Sequence, residues 1–148
     1  MKRERKKVQE LRANKIMLIP LILTLSVVCS KEWIGVEEKC FYFSKDTRNW
    51  TSSKSFCSSH GSELAHLDTK EELEFLKKFA GPVRYWIGLS RKHREYWKWT
   101  DGITFNDLFE INGSGFFTFL NTDGVQSSRG LVDIKWVCSK PRFLTVQK

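Results

Sequence analysis

The stretch Trp86-Ile87-Gly88-Leu89 decides the fold of this chain. A continuous apolar run between turn signals is typical of a strand buried on both faces, although periodicity alone does not separate it from a short buried helix. The glycine inside the run and the Gly81-Pro82 pair before it favour the strand. The run Trp97-Lys98-Trp99 is predicted to be its antiparallel neighbour, because its two tryptophans lie on one side of a period-two pattern.

The length and the charge of the chain limit the class of protein to which it can belong. The 148 residues suffice for one domain with a single packed core, and the formal net charge is +8. Residues 1–15 hold seven lysines and arginines against two glutamates, which is +5 and leaves +3 for the rest of the chain. Because this basic segment directly precedes the apolar stretch Ile16 to Val28, it indicates a membrane-targeting signal rather than a nucleic-acid-binding arm.

The apolar stretch sets the expected topology. Lysine and arginine before an apolar run stay on the cytoplasmic side, so the domain that follows is expected outside the cell. Thirteen residues span about 20 Å as a helix, which is shorter than the roughly 30 Å hydrocarbon core. The stretch is therefore either a short signal-anchor of a single-pass type II protein of the cell membrane, or the apolar region of a cleavable signal peptide. The predicted divisions are a basic cytoplasmic tail over 1–15, the signal-anchor over 16–28, the domain over 29–141 and a tail over 142–148.

Both alternatives place the domain in an oxidising compartment, where paired disulfides are expected. Cys29, Cys40, Cys57 and Cys138 allow three connectivities, and the sequence alone does not choose among them. A metal site is disfavoured, because there is no C-x-x-C pair and the three histidines, at positions 60, 66 and 93, show no ligand spacing.

The first half of the chain predicts two helices after a strand at Phe41 to Phe43. Thr51 to Ser59 begins with helix-start residues and stops before Gly61. In the second helix, Thr69 and Glu72 form a capping box, and Gly81-Pro82 ends it. The apolar stripe of the second helix consists of Leu73, Phe75, Leu76 and Phe79.

The second half predicts strands and one long loop. Thr100 to Gly115 has no helix or strand period, and long loops of this kind tend to be functional. Strands are predicted at Phe116 to Leu120 and at Leu131 to Val137. Between them lie a turn at Asn121 to Gly124 and a polar loop at Gln126 to Gly130. Two helices early and several short strands late describe an α+β domain.

Taken in order, these motifs resemble the C-type lectin-like domain. The resemblance covers about Cys29 to Pro141, and it implies two helices packed on short antiparallel sheets with a long loop. Within that fold, several segments resemble C-type lectin domain family 2. They are Trp33-Ile34-Gly35, Cys40 to Ser44, Thr47 to Thr51, Trp86 to Arg91 and Ile134 to Pro141.

The resemblance implies a disulfide connectivity. It pairs Cys57 with Cys138 and Cys29 with Cys40, which leaves no odd cysteine for a covalent dimer. A further cysteine pair usual in the fold would fall near Phe117 and Gly130. Neither position is cysteine here, so the loop that the pair would brace is expected to be freer.

The resemblance also bears on calcium and sugar. Family members that bind sugar hold Ca²⁺ through oxygen ligands in a Glu-Pro-Asn or Gln-Pro-Asp motif and a Trp-Asn-Asp motif. Here the long loop has no proline, and Asp133-Ile134-Lys135 replaces the second motif, with a cation where the metal would lie. We therefore expect no metal and no cofactor. The rival hypothesis is a calcium-dependent carbohydrate-binding lectin, with Asp101, Asp107 and Glu110 as candidate ligands.

Enzyme classes find little support in the motifs. His66 and Asp68 lie close in sequence, but a solvated pair on one face of a short strand explains them. The sequence contains no nucleophile elbow, phosphate-binding loop or H-E-x-x-H motif. We expect a protein that is not an enzyme.

Protein recognition is the function that the resemblance implies. The expected partner is a lectin-like receptor on natural killer cells, and a non-covalent homodimer is carried over from the family. Asn49 and Asn112 open two glycosylation sequons, each expected on a surface loop. The receptor-binding face that the resemblance implies includes Phe119, Asp123, Ser127, Arg129, Asp133 and Lys135. Phe119 is either exposed in this face or, because it shares a strand face with Phe117, points into the core.

Overall fold

The computed structural model describes the backbone of residues 24–147 and the side chains of residues 29–142. In this part of the chain, α1 spans Trp50–Ser59 and α2 spans Lys70–Ala80. The strands in the same part are β1 Thr24–Val28, β2 Ile34–Val36, β3 Lys39–Phe43, β4 Glu63–Leu64, β5 Tyr85–Ser90, β6 Lys98–Trp99, β7 Ile111–Asn112, β8 Phe117–Asn121, β9 Gly124–Ser128, β10 Lys135–Pro141 and β11 Phe143–Gln147.

Strands β1 and β11 belong to a separate unit from the one that Ser30–Pro141 form. The two strands pair antiparallel, with Thr24 opposite Gln147 and Val28 opposite Phe143. Of the predicted signal-anchor over 16–28, residues 16–23 lie outside the described residues, as does the predicted cytoplasmic tail over 1–15. Among the helices in the described residues, none has both the length and the apolar character needed to span a bilayer.

Strand β5 lies at the centre of the larger sheet, between β10 and β8. Residues Trp86, Ile87 and Leu89 have no exposed surface, which confirms the strand predicted to be buried on both faces. The glycine between them is required, because a Cβ atom on Gly88 would lie 2.4 Å from the Leu64 carbonyl oxygen. β6 pairs antiparallel with β5, opposite Leu89 and Ser90, as predicted. The sheet runs in the order β2-β3-β10-β5-β8-β9-β7, with β4 paired to β10 and β6 to β5.

Both predicted helices form, but their ends differ in detail. Asn49 caps α1, its Oδ1 atom accepting a hydrogen bond from the Ser52 amide at 2.8 Å. Thr69 caps α2 as predicted, with its hydroxyl oxygen accepting from the Glu72 amide at 3.0 Å. The apolar stripe of α2 is only partly buried, since 48% of Phe79 is exposed and its ring stacks on Phe43.

A disulfide joins α1 to β10 through Cys57 and Cys138, the pair that the resemblance implied. Cys29 and Cys40 are also disulfide-bonded, and no described cysteine is free. In the loop-closure model a cross-link over 81 residues removes unfolded-state entropy worth about 4 to 5 kcal/mol.

Two predictions for the last third of the chain are wrong. Residues 126–130 were predicted to be a polar loop, but most of them belong to β9, which pairs with β8 across a two-residue turn. The last strand was predicted to begin at Leu131, yet β10 begins at Lys135. The polar segment is a strand because its backbone pairs with β8. Leu131 and Val132 belong to no described strand and are exposed.

Candidate functional site

The β8–β9 hairpin forms one part of the predicted receptor-binding face. Its register places Thr118 opposite Ser127 and Asn121 opposite Gly124. At the turn, the Asn121 side chain accepts a hydrogen bond from the Asp123 amide at 2.9 Å, and this local bond stabilises the turn. The hairpin thus presents an exposed Asp123 at its tip.

The segment between β9 and β10 is fixed at both ends by backbone hydrogen bonds. The Trp50 amide donates to the Gly130 carbonyl at 3.0 Å. Arg48 and Ile134 exchange two such bonds, at 2.9 and 3.0 Å. The three residues between these ties are exposed, and we call Leu131, Val132 and Asp133 the 131–133 segment.

The 131–133 segment presents apolar surface to solvent. Leu131 is 64% exposed and Val132 is 50% exposed, and the exposed charges Arg129 and Asp133 lie on either side of them. Sequence reasoning missed both apolar residues, because it placed them inside a strand. Gly130 before them and Asp133 after them, which break the apolar run, are the signals that would have marked a loop.

The structure places the six predicted face residues in different environments. Arg129, Asp133 and Asp123 are exposed, but Asp123 lies at the far end of β9 from Arg129. Ser127 and Lys135 are half-buried. The Ser127 hydroxyl donates to the Asn112 carbonyl at 3.1 Å and accepts from the Gly115 amide at 2.9 Å, so it braces the loop rather than facing solvent.

Phe119 is not an exposed aromatic. It is 7% exposed and meets the Trp86 ring edge-on, with the ring centroids 5.9 Å apart. The Arg84 guanidinium also lies over the Phe119 ring, 5.5 Å from its centroid. Both faces of β8 are covered, because Thr118 and Phe119 are consecutive residues of the strand, point to opposite faces and are both buried. The alternative in which Phe119 points into the core is the one that the structure shows.

The basic residue that directly follows β5, Arg91, takes part in packing. The Arg91 guanidinium lies 4.5 Å from the centroid of the Trp97 ring, and its Nε atom donates to the Gly115 carbonyl at 3.1 Å. Cation–π contacts of this kind contribute about 0.5 to 1 kcal/mol at exposed sites. Arg91 therefore fastens the long loop to β5 as well as carrying charge.

Comparison with known proteins gives the family. The Lectin C-type domain model matches residues 46–129, more than half of the chain. The human C-type lectin domain family 2 member A is 62% identical over 117 residues, covering 79% of this chain and 67% of that protein. The human member D is 46% identical over 116 residues, covering 78% of this chain and 61% of that protein.

This chain belongs to C-type lectin domain family 2. It spans about two thirds or less of the length of these two relatives. Both relatives are named as lectins rather than as enzymes.

Solved structures confirm the C-type lectin fold. The carbohydrate-recognition domain of the mouse scavenger receptor C-type lectin aligns with a TM-score of 0.69 at 24% identity, over 78% of this chain and 98% of that one. The natural killer cell receptor Ly49C aligns with a TM-score of 0.65 at 25% identity, over 74% of this chain and 90% of that one.

Within the described residues, the candidate calcium ligands are not grouped in one site. Ile134 is 7% exposed and packs in the core beside Trp50 and Trp136. Asp101, one of the three candidate calcium ligands, contacts His66 at 3.1 Å. In the described part of the chain, the candidate ligands Asp107 and Glu110 are not grouped with it.

The two sequons have different surroundings. Asn112 is exposed on β7. Asn49 is half-buried as the cap of α1, and the residues before and after it, Arg48 and Trp50, make the backbone bonds that fix the 131–133 segment. A glycan on Asn49 would therefore start beside that segment.

Proposed function

We propose that this chain is a cell-surface ligand that engages an activating natural killer cell lectin-like receptor by protein contact, without calcium or sugar. The observation that carries the proposal is the 131–133 segment. Its exposed apolar pair lies between two charged residues, and backbone hydrogen bonds fix the chain at both ends. The core of a protein interface is apolar and its rim is polar, which matches this arrangement.

The backbone hydrogen bonds at Gly130 and Ile134 should increase the affinity for a partner. A loop that is already fixed loses little conformational entropy when a partner binds, so more of the contact energy remains for association. Arg129 and Asp133 supply one charge of each sign beside the apolar pair, which favours partners with a complementary pair of charges.

The local chemistry disfavours sugar binding through calcium. Ca²⁺ takes six to eight oxygen ligands, and the segment before the last cysteine offers a buried Ile134 and the ammonium of Lys135 instead. The rival hypothesis remains a calcium-dependent carbohydrate-binding lectin, and retention on a sugar resin that EDTA abolishes would favour it.

Anchoring and assembly are part of the proposal. The basic segment over 1–15 before the apolar stretch supports a single-pass type II orientation in the cell membrane, with the lectin-like domain outside. A homodimer would be non-covalent, since no described cysteine is free. A secreted or retained form without surface function is the alternative for localisation.

The first test uses cells that express a carboxyl-terminally tagged chain. We expect staining of the tag without permeabilisation, and binding of a soluble killer-cell lectin-like receptor that persists in EDTA. A tag found only inside the cell or in the medium would contradict the surface proposal.

A matched pair of variants then tests the recognition face. Val132→Asp places a charge in the proposed contact, and we expect receptor binding to fall at least tenfold, about 1.4 kcal/mol. Val83→Asp is the control, because Val83 is a valine of similar exposure, 40% against 50%, in the turn after α2. Equal binding by the two variants would place the contact elsewhere.

A further inference from the structure

A cavity of about 320 Å³ lies on the surface around His66, and no residue of the 131–133 segment lines it. The His66 side chain is 12% exposed, and its ring stacks on Trp99, with the centroids 4.4 Å apart and the planes 11° apart. The stack fixes the plane of the imidazole. Both ring nitrogens then meet side-chain carboxylates.

The two nitrogens have different partners. Nδ1 lies 3.1 Å from Asp101 Oδ2, and Nε2 lies 3.2 Å from Asp68 Oδ1. Glu63 lies close as well, since one ligand atom from each of Glu63, His66 and Asp101 lies within 4.8 Å of the other two. One imidazole nitrogen and two carboxylate oxygens thus converge on a space of a few ångströms.

Groups outside this trio hold each of its side chains. The Thr100 hydroxyl donates to Glu63 Oε1 at 3.0 Å, and the Ile103 amide donates to Asp101 Oδ1 at 3.0 Å. Asp68 sits on the far ring nitrogen of His66 and is itself paired with Lys39 at 2.8 Å. A carboxylate on the outer nitrogen of a metal-binding histidine is the arrangement that fixes its tautomer and raises its basicity.

The electrostatics of the cavity favour a cation. Four carboxylates line it against two lysines, a net charge of −2 in a chain of net charge +8. Both lysines have other partners: the Lys39 ammonium contacts Asp68 and Glu72, and the Lys140 ammonium lies over the Trp33 ring. The carboxylates of the cavity lining are Glu38, Glu63, Asp68 and Asp101.

We propose that Glu63, His66 and Asp101 form a zinc-binding site. One imidazole and two carboxylates are ligands that Zn²⁺ accepts in tetrahedral geometry, with a water molecule in the fourth position. Ca²⁺ prefers oxygen ligands alone and a higher coordination number, so the imidazole selects against it. The site is independent of the proposed receptor contact.

Sequence spacing did not reveal this site. The three ligands come from β4, from the extended link after it and from the turn after β6, and 35 residues separate His66 from Asp101. The tertiary fold brings them together when β6 pairs with β5 and the link crosses beside Gly88. In the metal-free alternative, the His66 ring nitrogens only contact the Asp68 and Asp101 carboxylates, and the site binds no zinc.

The test is isothermal titration calorimetry of the full chain with zinc chloride, after metal removal by EDTA and dialysis. We expect one equivalent of zinc to bind. His66→Gln and Asp101→Asn should each weaken binding at least tenfold, and Asp68→Asn should weaken it about 10-fold or more through the outer hydrogen bond. His60→Gln is the control, because His60 is an exposed histidine that stacks on Phe56 at the end of α1.

Two further measurements separate the site from a folding defect or a nonspecific surface contact. Saturating zinc should raise the melting temperature of the unaltered chain and of His60→Gln, but not that of His66→Gln. Co²⁺ in place of zinc should give the visible absorption of a four-coordinate site, which His66→Gln removes. The proposal is overturned if the unaltered chain binds no zinc, if both ligand variants retain its affinity, or if His60→Gln abolishes binding.

Discussion

The ring of Phe117 lies against Gly130, so closely that a Cβ atom on Gly130 would sit 2.6 Å from Cδ2 of that ring. The resemblance placed a disulfide of the fold near these two positions. In this chain the Phe117 ring also contacts Trp50, with the centroids 4.7 Å apart, and the Trp50 amide donates to the Gly130 carbonyl. Without the cysteine pair usual in the fold, this loop was expected to be freer, but packing and a hydrogen bond hold the start of the 131–133 segment in place.

This contact predicts the effect of Gly130→Ala. Gly130 has a φ of +79°, so alanine would incur both the cost of a left-handed backbone and the clash with Phe117. We expect a loss of about 3 kcal/mol in the free energy of unfolding, measured by urea denaturation. Gly61→Ala is the control, since its φ of +67° is similar but nothing lies within 4 Å of its added Cβ atom. Equal losses in the two variants would contradict the packing argument.

The buried carboxylate of Glu72 should be essential for stability. Glu72 is 2% exposed, accepts a hydrogen bond from the Asp68 amide at 2.7 Å and pairs with Lys39 at 3.3 Å. Glu72→Ala leaves the Asp68 amide without its acceptor and removes one of two carboxylates from the Lys39 ammonium, which keeps Asp68 at 2.8 Å. We therefore expect a loss of about 2 to 3 kcal/mol by thermal or urea unfolding.

The exposed neighbour Glu74 provides the comparison. Its side chain is 66% exposed and pairs with Lys77 at 3.5 Å on the surface of the same helix. Glu74→Ala should change the free energy of unfolding by less than about 1 kcal/mol. A similar loss for both glutamates would mean that burial of the Glu72 pair is unimportant.

The charge of Asp68 should make stability depend on pH. Burial alone would raise its pKa, but hydrogen bonding and charge from Lys39, together with His66, lower the pKa below the ordinary value of 3.8. A lowered folded-state pKa stabilises the fold above the unfolded pKa, and that contribution is lost as the pH falls through the folded value. Asp68→Asn should therefore lower the melting temperature at pH 7, and the difference from the unaltered chain should vanish in strong acid. A difference that is constant with pH would contradict the charge argument.

A glycan on Asn49 should weaken recognition by the 131–133 segment. Thr51→Ala removes this sequon while it keeps the Asn49 cap of α1, whereas Asn49→Gln would also remove the cap at a cost of about 1 kcal/mol. For chains that carry the glycan, shown by a mass shift on enzymatic deglycosylation, we expect Thr51→Ala to bind the receptor several-fold more tightly. Ser114→Ala, which removes the Asn112 sequon on β7, is the control and should leave binding unchanged.

The predictable elements are those whose signal is local. Thr69 caps α2 and Gly81 ends it, as the sequence indicated, because capping depends on residues within one turn of the helix. β5 was predictable because its whole length is apolar. Glu72 was predicted as a member of the capping box, but the partners of its carboxylate were not. It bonds the Asp68 amide and Lys39, a residue 33 positions earlier, and no local pattern contains that lysine.

The sequence by itself determined the family, the order of the helices and central strands, and the even cysteine count that allows two disulfides. Only the tertiary structure decided that Phe119 is covered, that Leu131 and Val132 are exposed, and that His66 meets Asp101. Helix caps and buried strands arise from residues adjacent in the chain. Exposure and side-chain convergence depend on which distant segment lies next to a residue, and only strand pairing across the whole domain fixes that neighbour.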